Sequence, residues 1–197
     1  RMLCEQGYEY LPLHTERDMI NNLRERLQEL NNYEFTDKEW TYFFNNDIAN
    51  PNFSLQDKTR NIQEDYRKVL KRDDGSTKNI SLIDKTNIHN NRLQVINQYV
   101  MGLQDGAKHD NRYDVTVLVN GLPLVHVELK RRGVQIREAF NQINRYKRDS
   151  FWAGSGLFEY VQIFVISNGT NTKYYSNSTR DNAIRDAKAG NTKRGKT

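Results

Sequence analysis

The spacing of apolar residues divides the chain into a helical first third and a strand-rich remainder. In residues 14–30, Met19, Leu23, Leu27 and Leu30 recur near helical spacing behind Thr15, whose side chain can accept a first-turn backbone N–H. A helix is predicted there. Thr36 and Glu39 match a capping box, the reciprocal side chain–backbone pair that opens a helix, and predict a second, short helix through Trp40, Phe43 and Phe44. A third is predicted from about Leu55 to Leu70, ended by Asp73-Asp74-Gly75. Beyond it the period shortens. Ile80 to Asp84 and Leu93 to Met101 are short, rich in branched and aromatic residues and separated by Asn-rich turns, the pattern of strands in a meander. Aromatic clusters at Tyr8–Tyr10, Trp40–Phe44 and Phe151–Tyr160 read as core packing rather than as base-stacking platforms.

Arg112 to Lys130 is the most informative stretch, because two apolar runs flank Asn120-Gly121, the strongest short hairpin signal. Its first strand carries Asp114 near the start, and its second, strongly apolar strand ends in Glu128-Leu129-Lys130. Glu128 and Lys130, two apart, project from one face of that strand. A charged cluster where an apolar strand leaves the core is costly unless it serves a purpose. Register decides whether Asp114 joins it. A strict two-residue loop pairs Val119 with Leu122 and leaves Asp114 and Glu128 on opposite faces, whereas one extra loop or bulge residue places them opposite each other, about 4.5 to 5.5 Å apart at Cβ. Taking Asn120 to Leu122 as the loop pairs Val119 with Pro123, and Pro123, lacking an N–H, favours this longer or bulged form.

Two carboxylates that close repel unless a cation lies between them, and hard oxygen ligands with room for water suit Mg²⁺. The Leu129 carbonyl is a natural third ligand. Lys130 beside the ion can orient the attacking water and stabilise the transition state of phosphodiester hydrolysis. The competing reading is a surface ion pair, Glu128 with Lys130 or Asp114 with Arg112. Residues 134–149 then form an amphipathic helix with Ile136, Ala139, Phe140 and Ile143 inward and Gln142 and Tyr146 one turn apart on an adjoining face. That face is expected to overlook the cluster, with Arg131, Arg132, Arg145, Lys147 and Arg148 supplying positive charge. Tyr160 to Ile166, a Ser167-Asn168-Gly169 turn and Lys173 to Ser176 extend the sheet. Gln142 and Tyr146 are expected to position DNA, with a core role for Tyr146 as the alternative.

Composition narrows the picture. The chain has 197 residues, 36% hydrophobic and 28% charged, enough for one domain with its own core. No apolar run approaches the roughly 18 to 20 residues needed to span a bilayer and no leader pattern opens the chain, so a cytoplasmic protein without membrane contact is expected. One cysteine and four scattered histidines exclude a disulfide framework and a Cys-rich zinc site. The net charge of +5 is unevenly spread: residues 130–148 carry seven Lys/Arg against one acid, and residues 180–197 carry six against two. A concentrated basic stretch on an otherwise acidic body is the footprint of a phosphate-contacting surface, or of a solvated helix face with a basic tail. The start at Arg1 and the polar end point to a fragment of a longer protein.

Gly7-Tyr8-Glu9-Tyr10, Leu82-Ile83-Asp84, Leu93 to Tyr99, Asp114 through Asn120-Gly121-Leu122-Pro123 to Glu128-Leu129-Lys130, Gln142 to Tyr146, and Ile166-Ser167-Asn168-Gly169 together resemble the N-terminal nuclease domain of the restriction (motor) subunit of type I restriction enzymes. The resemblance covers nearly the whole chain. It implies a PD-(D/E)xK, restriction-endonuclease-like α/β fold, a mixed central sheet flanked by helices. It also implies Asp114 and Glu128 as Mg²⁺ ligands, Lys130 as the catalytic lysine, and Gln142 and Tyr146 as the family's Gln-x-x-x-Tyr motif. The implied activity is Mg²⁺-dependent cleavage of duplex DNA after ATP-driven translocation by motor domains outside these residues. DNA-specificity and methyltransferase subunits are the implied partners. The wider superfamily often adds a metal-supporting glutamate on the first helix, and this chain starts at what reads as that helix's last turns.

The domain is expected to occupy residues 1–179, with 180–197 a basic flexible segment leading toward the motor. Within it Gly190 to Thr197 fits the expression G-x-x-x-x-G-K-[ST], yet no apolar strand precedes it and no helix follows, so it reads as a linker and not an ATP site. Two other readings are open: a repair or junction nuclease on the same fold, which would cut without ATP or partner subunits, and a non-catalytic DNA-binding module, which would bind DNA without binding metal.

Overall fold

A computed structural model describes residues 2–178 of the chain; the expected basic segment 180–197, its Walker-like stretch and the boundary at 179 lie outside the described residues. Helix α1 (Met2–Glu5) leads to a short strand β1 (Glu9–Tyr10), followed by α2 (Glu16–Asn31), α3 (Asp37–Phe43) and α4 (Leu55–Gln63). Each of the last three opens on a complete capping box, Thr15 with Asp18, Thr36 with Glu39 and Ser54 with Asp57. These boxes satisfy first-turn N–H groups that would otherwise lack partners. α3 continues into a π-helical turn over Phe44–Ile48 and buries Trp40, Phe43 and Phe44, while Tyr10 of the first aromatic cluster is 51% exposed and so is not core.

The predicted third helix is too long. It stops at Gln63, and Arg67–Lys71 forms strand β2, paired antiparallel with β3 (Thr77–Ser81). Asp73-Asp74-Gly75 is the turn of this hairpin, with the Arg72 N–H donating to the Ser76 carbonyl at 2.8 Å. Strand pairing is non-local, so the helical reading of Lys68 and Leu70 lost to a partner that local spacing cannot reveal. The hairpin forms its own two-stranded sheet and is not part of the meander, and its second strand ends at Ser81, not Asp84.

The main sheet has six strands, β1 with β4 (Leu93–Met101), β5 (Asn111–Val119), β6 (Leu122–Leu129), β7 (Ile163–Ser167) and β8 (Thr172–Ser176), in the order β1-β4-β5-β6-β7-β8. Pairs β1/β4 and β6/β7 are parallel and the others antiparallel, giving a mixed sheet. A parallel pair needs a crossover, and α5 (Ile136–Asp149) supplies it, packing on β6 and β7. β7 starts at Ile163, later than predicted, because Leu157–Tyr160 is a 3-10 turn.

The β5–β6 register corrects the predicted loop. Val119 pairs with Leu122 across a two-residue Asn120-Gly121 turn with both residues left-handed (φ 49° and 83°). The extra residue sits inside β6: Leu118 pairs with Pro123 but Val117 with Val125, so Leu124 is bulged. Pro123 is therefore the second residue of the strand and not the end of a longer loop. Beyond the bulge the count is the one that sets Asp114 against Glu128.

This turn is buried against α2. Asn120 donates to the Leu82 carbonyl (3.0 Å) and to Asn91 (2.8 Å), and its Oδ1 accepts from the Arg92 N–H (2.8 Å). A Cβ on Gly121 would lie 2.6 Å from the Leu23 Cα, so backbone meets backbone there. Among the described residues no helix is long and apolar enough to cross a membrane. Gly121→Ala combines a left-handed φ with that collision and is expected to cost about 2 kcal/mol or more, read as a lower urea midpoint with an unchanged slope.

Candidate active site

The bulge and the apolar run of β6 carry Glu128 to the strand end while it is still fully buried, at 0% exposure, whereas Leu129 is 49% exposed. Asp114, half-buried, sends its Oδ2 to accept the Leu129 N–H at 2.8 Å, so the two strands are joined there by a side chain. Lys130 donates from Nζ to Glu128 Oε1 at 3.1 Å and to Gln142 Oε1. A buried carboxylate loses several kcal/mol of hydration, and this ammonium offsets part of that cost. Glu128 Oε2 has no hydrogen-bond partner and lies 3.6 Å from Nε2 of His126, itself fully buried and also without a partner on that nitrogen.

From Gln142 the polar chain continues inward. Its Nε2 donates to the Tyr146 hydroxyl, which donates to the Arg112 carbonyl at 2.8 Å. Each group has one donor and one acceptor direction in use, which fixes the Gln142 amide with its oxygen toward Lys130. Burial, and then the nearby carboxylates Glu128 and Asp114, hold the Tyr146 phenol above its ordinary range against the opposing Gln142 bond, so it remains a protonated donor at neutral pH.

These bonds correct the expectation for Tyr146. It is 1% exposed, with its ring 5.0 Å from Tyr113 and 6.0 Å from His126, so it lies in the core and not on a DNA-facing surface. The signal was in the sequence: Ala139, Ile143 and Tyr146 share one buried helical stripe. Gln142 is half-buried and engaged with Lys130.

The basic residues separate into four places. Arg131 and Arg145 line a cleft of about 530 Å³ together with Leu129, Lys130, Glu138 and Gln142. Arg132 lies apart, against Gly169 in the β7–β8 turn. Lys147 places its ammonium 4.3 Å over the Phe164 ring, away from this cleft, and so does not join the basic face predicted for it. Arg148 pairs with Asp149 at 2.9 Å.

His126 went unremarked among the scattered histidines. Lying two residues before Glu128 on one strand, it shares that residue's face, which the period of two shows directly. Thr116 contacts its Nδ1 at 3.3 Å. Among the described residues no group of three or more His, Cys, Asp or Glu side chains is placed to hold a metal ion.

The molecule is thus a mixed α/β protein that gathers two carboxylates, a lysine and a fixed amide at the end of one central strand. By sequence the chain belongs to the family of the type I restriction enzyme R protein N terminus, whose model matches residues 1–183. It is 51% identical over 179 residues to the type I restriction enzyme EcoprrI endonuclease subunit of Escherichia coli, covering 90% of this chain and 56% of that protein. Against the SsaAORF53P endonuclease subunit of Staphylococcus saprophyticus it is 40% identical over 185 residues, 89% of this chain and 18% of the other. A putative MjaIXP endonuclease subunit of Methanocaldococcus jannaschii is 28% identical over 137 residues, 66% of this chain and 12% of that one. The chain therefore spans between 12% and 56% of these relatives' lengths.

Two substitutions separate ring from hydroxyl at Tyr146. Tyr146→Ala is expected to cost about 3 to 5 kcal/mol by emptying a packed aromatic site, and Tyr146→Phe about 1 to 3 by stranding the Arg112 carbonyl and Gln142. Urea denaturation of both variants measures the difference, and a Tyr146→Ala loss near zero would remove the ring from the core.

Proposed function

We propose that this chain is the nuclease domain of a type I restriction enzyme R subunit, a PD-(D/E)xK fold that hydrolyses phosphodiester bonds of duplex DNA with Mg²⁺. The observation that carries the reading is the strand-end cluster: Asp114 turned onto the Leu129 N–H, Glu128 buried with one oxygen unpartnered, and Lys130 held between Glu128 and Gln142. Structural ion pairs are rarely built with a fully buried carboxylate oxygen left over, because an unsatisfied charged acceptor is costly.

The donor set fits Mg²⁺. Two hard carboxylates, Asp114 and Glu128, with the Leu129 carbonyl leave positions for water, as this ion prefers. When bound, Mg²⁺ would supply Lewis acidity to a phosphoryl oxygen and lower the pKa of a bound water. The Lys130 ammonium, oriented by two acceptors, presents its remaining N–H toward the open cleft, where it can bind a phosphate oxygen or orient the attacking water. Gln142 and Tyr146 hold that lysine in place rather than contact DNA themselves. Arg131 and Arg145 on the cleft wall bind phosphates on either side without reading sequence. Arg132, at the β7–β8 turn, extends the same backbone contact.

In this reading ATP-driven motor domains deliver the DNA and DNA-specificity and methyltransferase subunits choose it, in the cytoplasm. The names of the relatives as type I restriction endonuclease subunits support it.

Asp114→Asn or Glu128→Gln is expected to abolish cleavage by the assembled enzyme and to weaken Mn²⁺ binding at least tenfold, while ATP-driven translocation persists. Wild-type cleavage by either variant would overturn the assignment. Lys130→Arg keeps the charge but replaces a compact ammonium by a planar fork. It is expected to lower the cleavage rate by about a hundredfold or more with metal affinity within threefold, measured on linear and circular substrates. Normal cleavage would reduce Lys130 to a counter-ion.

A further inference from the structure

Gln98 has a left-handed backbone, φ +55°, in the middle of strand β4, where a side chain with a Cβ is strained. Only two other non-glycine residues share this among the described residues, Asn32 at a helix end and Asn120 in the hairpin turn, both of the residue type that tolerates it. Gln98 has no such excuse. Its position in the sheet is informative: the β4–β5 ladder pairs Asn97 with Val115 and Tyr99 with Tyr113, and passes over the intervening Gln98 and Asp114. The β5–β6 ladder likewise ends at Val115 with Val127, one step short of Asp114 with Glu128.

Both strands also change phase at this point. A strand alternates every second residue, yet β4 buries Ile96 and then Tyr99, with Asn97, Gln98 and Val100 exposed. β5 buries Thr116 and Tyr113, again three apart, with Asp114 and Val115 between them only half-buried. At this point Tyr99 and Tyr113, 6.3 Å apart, both enter the aromatic core, and Asp114, outside both ladders, accepts the Leu129 N–H through its carboxylate.

We infer that Gln98 is a positioning residue for the candidate active site: its left-handed backbone breaks the alternation of β4 and β5 together and thereby turns Asp114 onto Leu129 beside Glu128. Strained backbone that persists in a sheet is held there by its surroundings and concentrates at working sites. A residue that prefers extended backbone at position 98 would restore regular alternation and return Asp114 to the ladder. The inference concerns the geometry of Asp114 and rests on the proposed metal site only for its consequence for function.

The test uses the whole chain and four variants, Gln98→Gly, Gln98→Val, Gln98→Ala and Asp114→Asn, at a temperature where each is folded by circular dichroism. The first readout needs no metal: the Leu129 amide resonance and its hydrogen-exchange protection. Gln98→Val is expected to move that resonance toward its position in Asp114→Asn and to lower protection at least tenfold. Gln98→Gly is expected to leave both unchanged and to raise the melting temperature, since glycine adopts φ +55° without strain. If Gln98→Val does not fold, Gln98→Ala takes its place with the same shift in smaller measure. A Leu129 amide unmoved in the folded Val or Ala variant overturns the inference, as does a Gly variant that shifts like Asp114→Asn. The second readout is Mn²⁺ affinity, expected to fall at least tenfold in Gln98→Val and to stay within twofold in Gln98→Gly. If Asp114→Asn binds Mn²⁺ like the unmodified chain, the metal-site reading fails while the amide result still decides the role of Gln98.

Discussion

The site depends on the register between β5 and β6. Because side chains alternate with a period of two, moving β6 by one residue against β5 would carry Glu128 and His126 to the opposite face and bring Val127 and Leu129 to Asp114. The fold holds this register at two points. The buried Asn120-Gly121 turn locks the tip against α2, and the Leu124 bulge then adds the single residue that converts a tight turn's count into the one the site needs. Neither device touches the charged cluster.

Around that frame polarity is distributed unequally. Asp114, half-buried, accepts a backbone amide, whereas Glu128 is stripped of water, with Lys130 hydrogen-bonded to one oxygen and His126 Nε2 3.6 Å from the other. The Lys130–Gln142–Tyr146–Arg112 chain then ends on a backbone carbonyl in the core, so the orientation of the exposed end is set by packing at the inner end. In a medium of low polarity such a chain is worth having only if every member is satisfied, and each of its three side chains is. Tyr113, with Phe158 at 4.6 Å and Phe151 at 5.1 Å, supplies that medium.

Much of this was legible in the sequence wherever the signal is local. Capping residues announced α2 and α3, Asn-Gly announced the hairpin turn, and amphipathic spacing announced α5, each because the physics acts within a few residues. Asp114, Glu128 and Lys130 could be singled out, and the need for one extra residue in register followed from counting. What stayed hidden is non-local or against type. The helix extended to Leu70 failed because β2 exists only through β3, and the bulge at Leu124 carries no residue preference that differs from its apolar neighbours. Gln98 is a residue type that rarely adopts its conformation, so no pattern could mark it. Tyr146 was misplaced because its hydroxyl suggested a surface role, while its spacing from Ile143 and Ala139 had already put it inside.

Parallel pairing of β6 and β7 through α5 has a bearing on assembly. Asp114, Glu128, Lys130, Gln142 and Tyr146 fall within one hairpin and one following helix, so the contacts that make the site close only short loops. Strand β1, by contrast, reaches β4 across the chain from Glu9 to Gln94. Loop-closure entropy rises with the length enclosed, and contacts close in sequence form fastest. The charged cluster and its supporting helix therefore close shorter loops than the pairing of the N-terminal strand at the sheet's far edge.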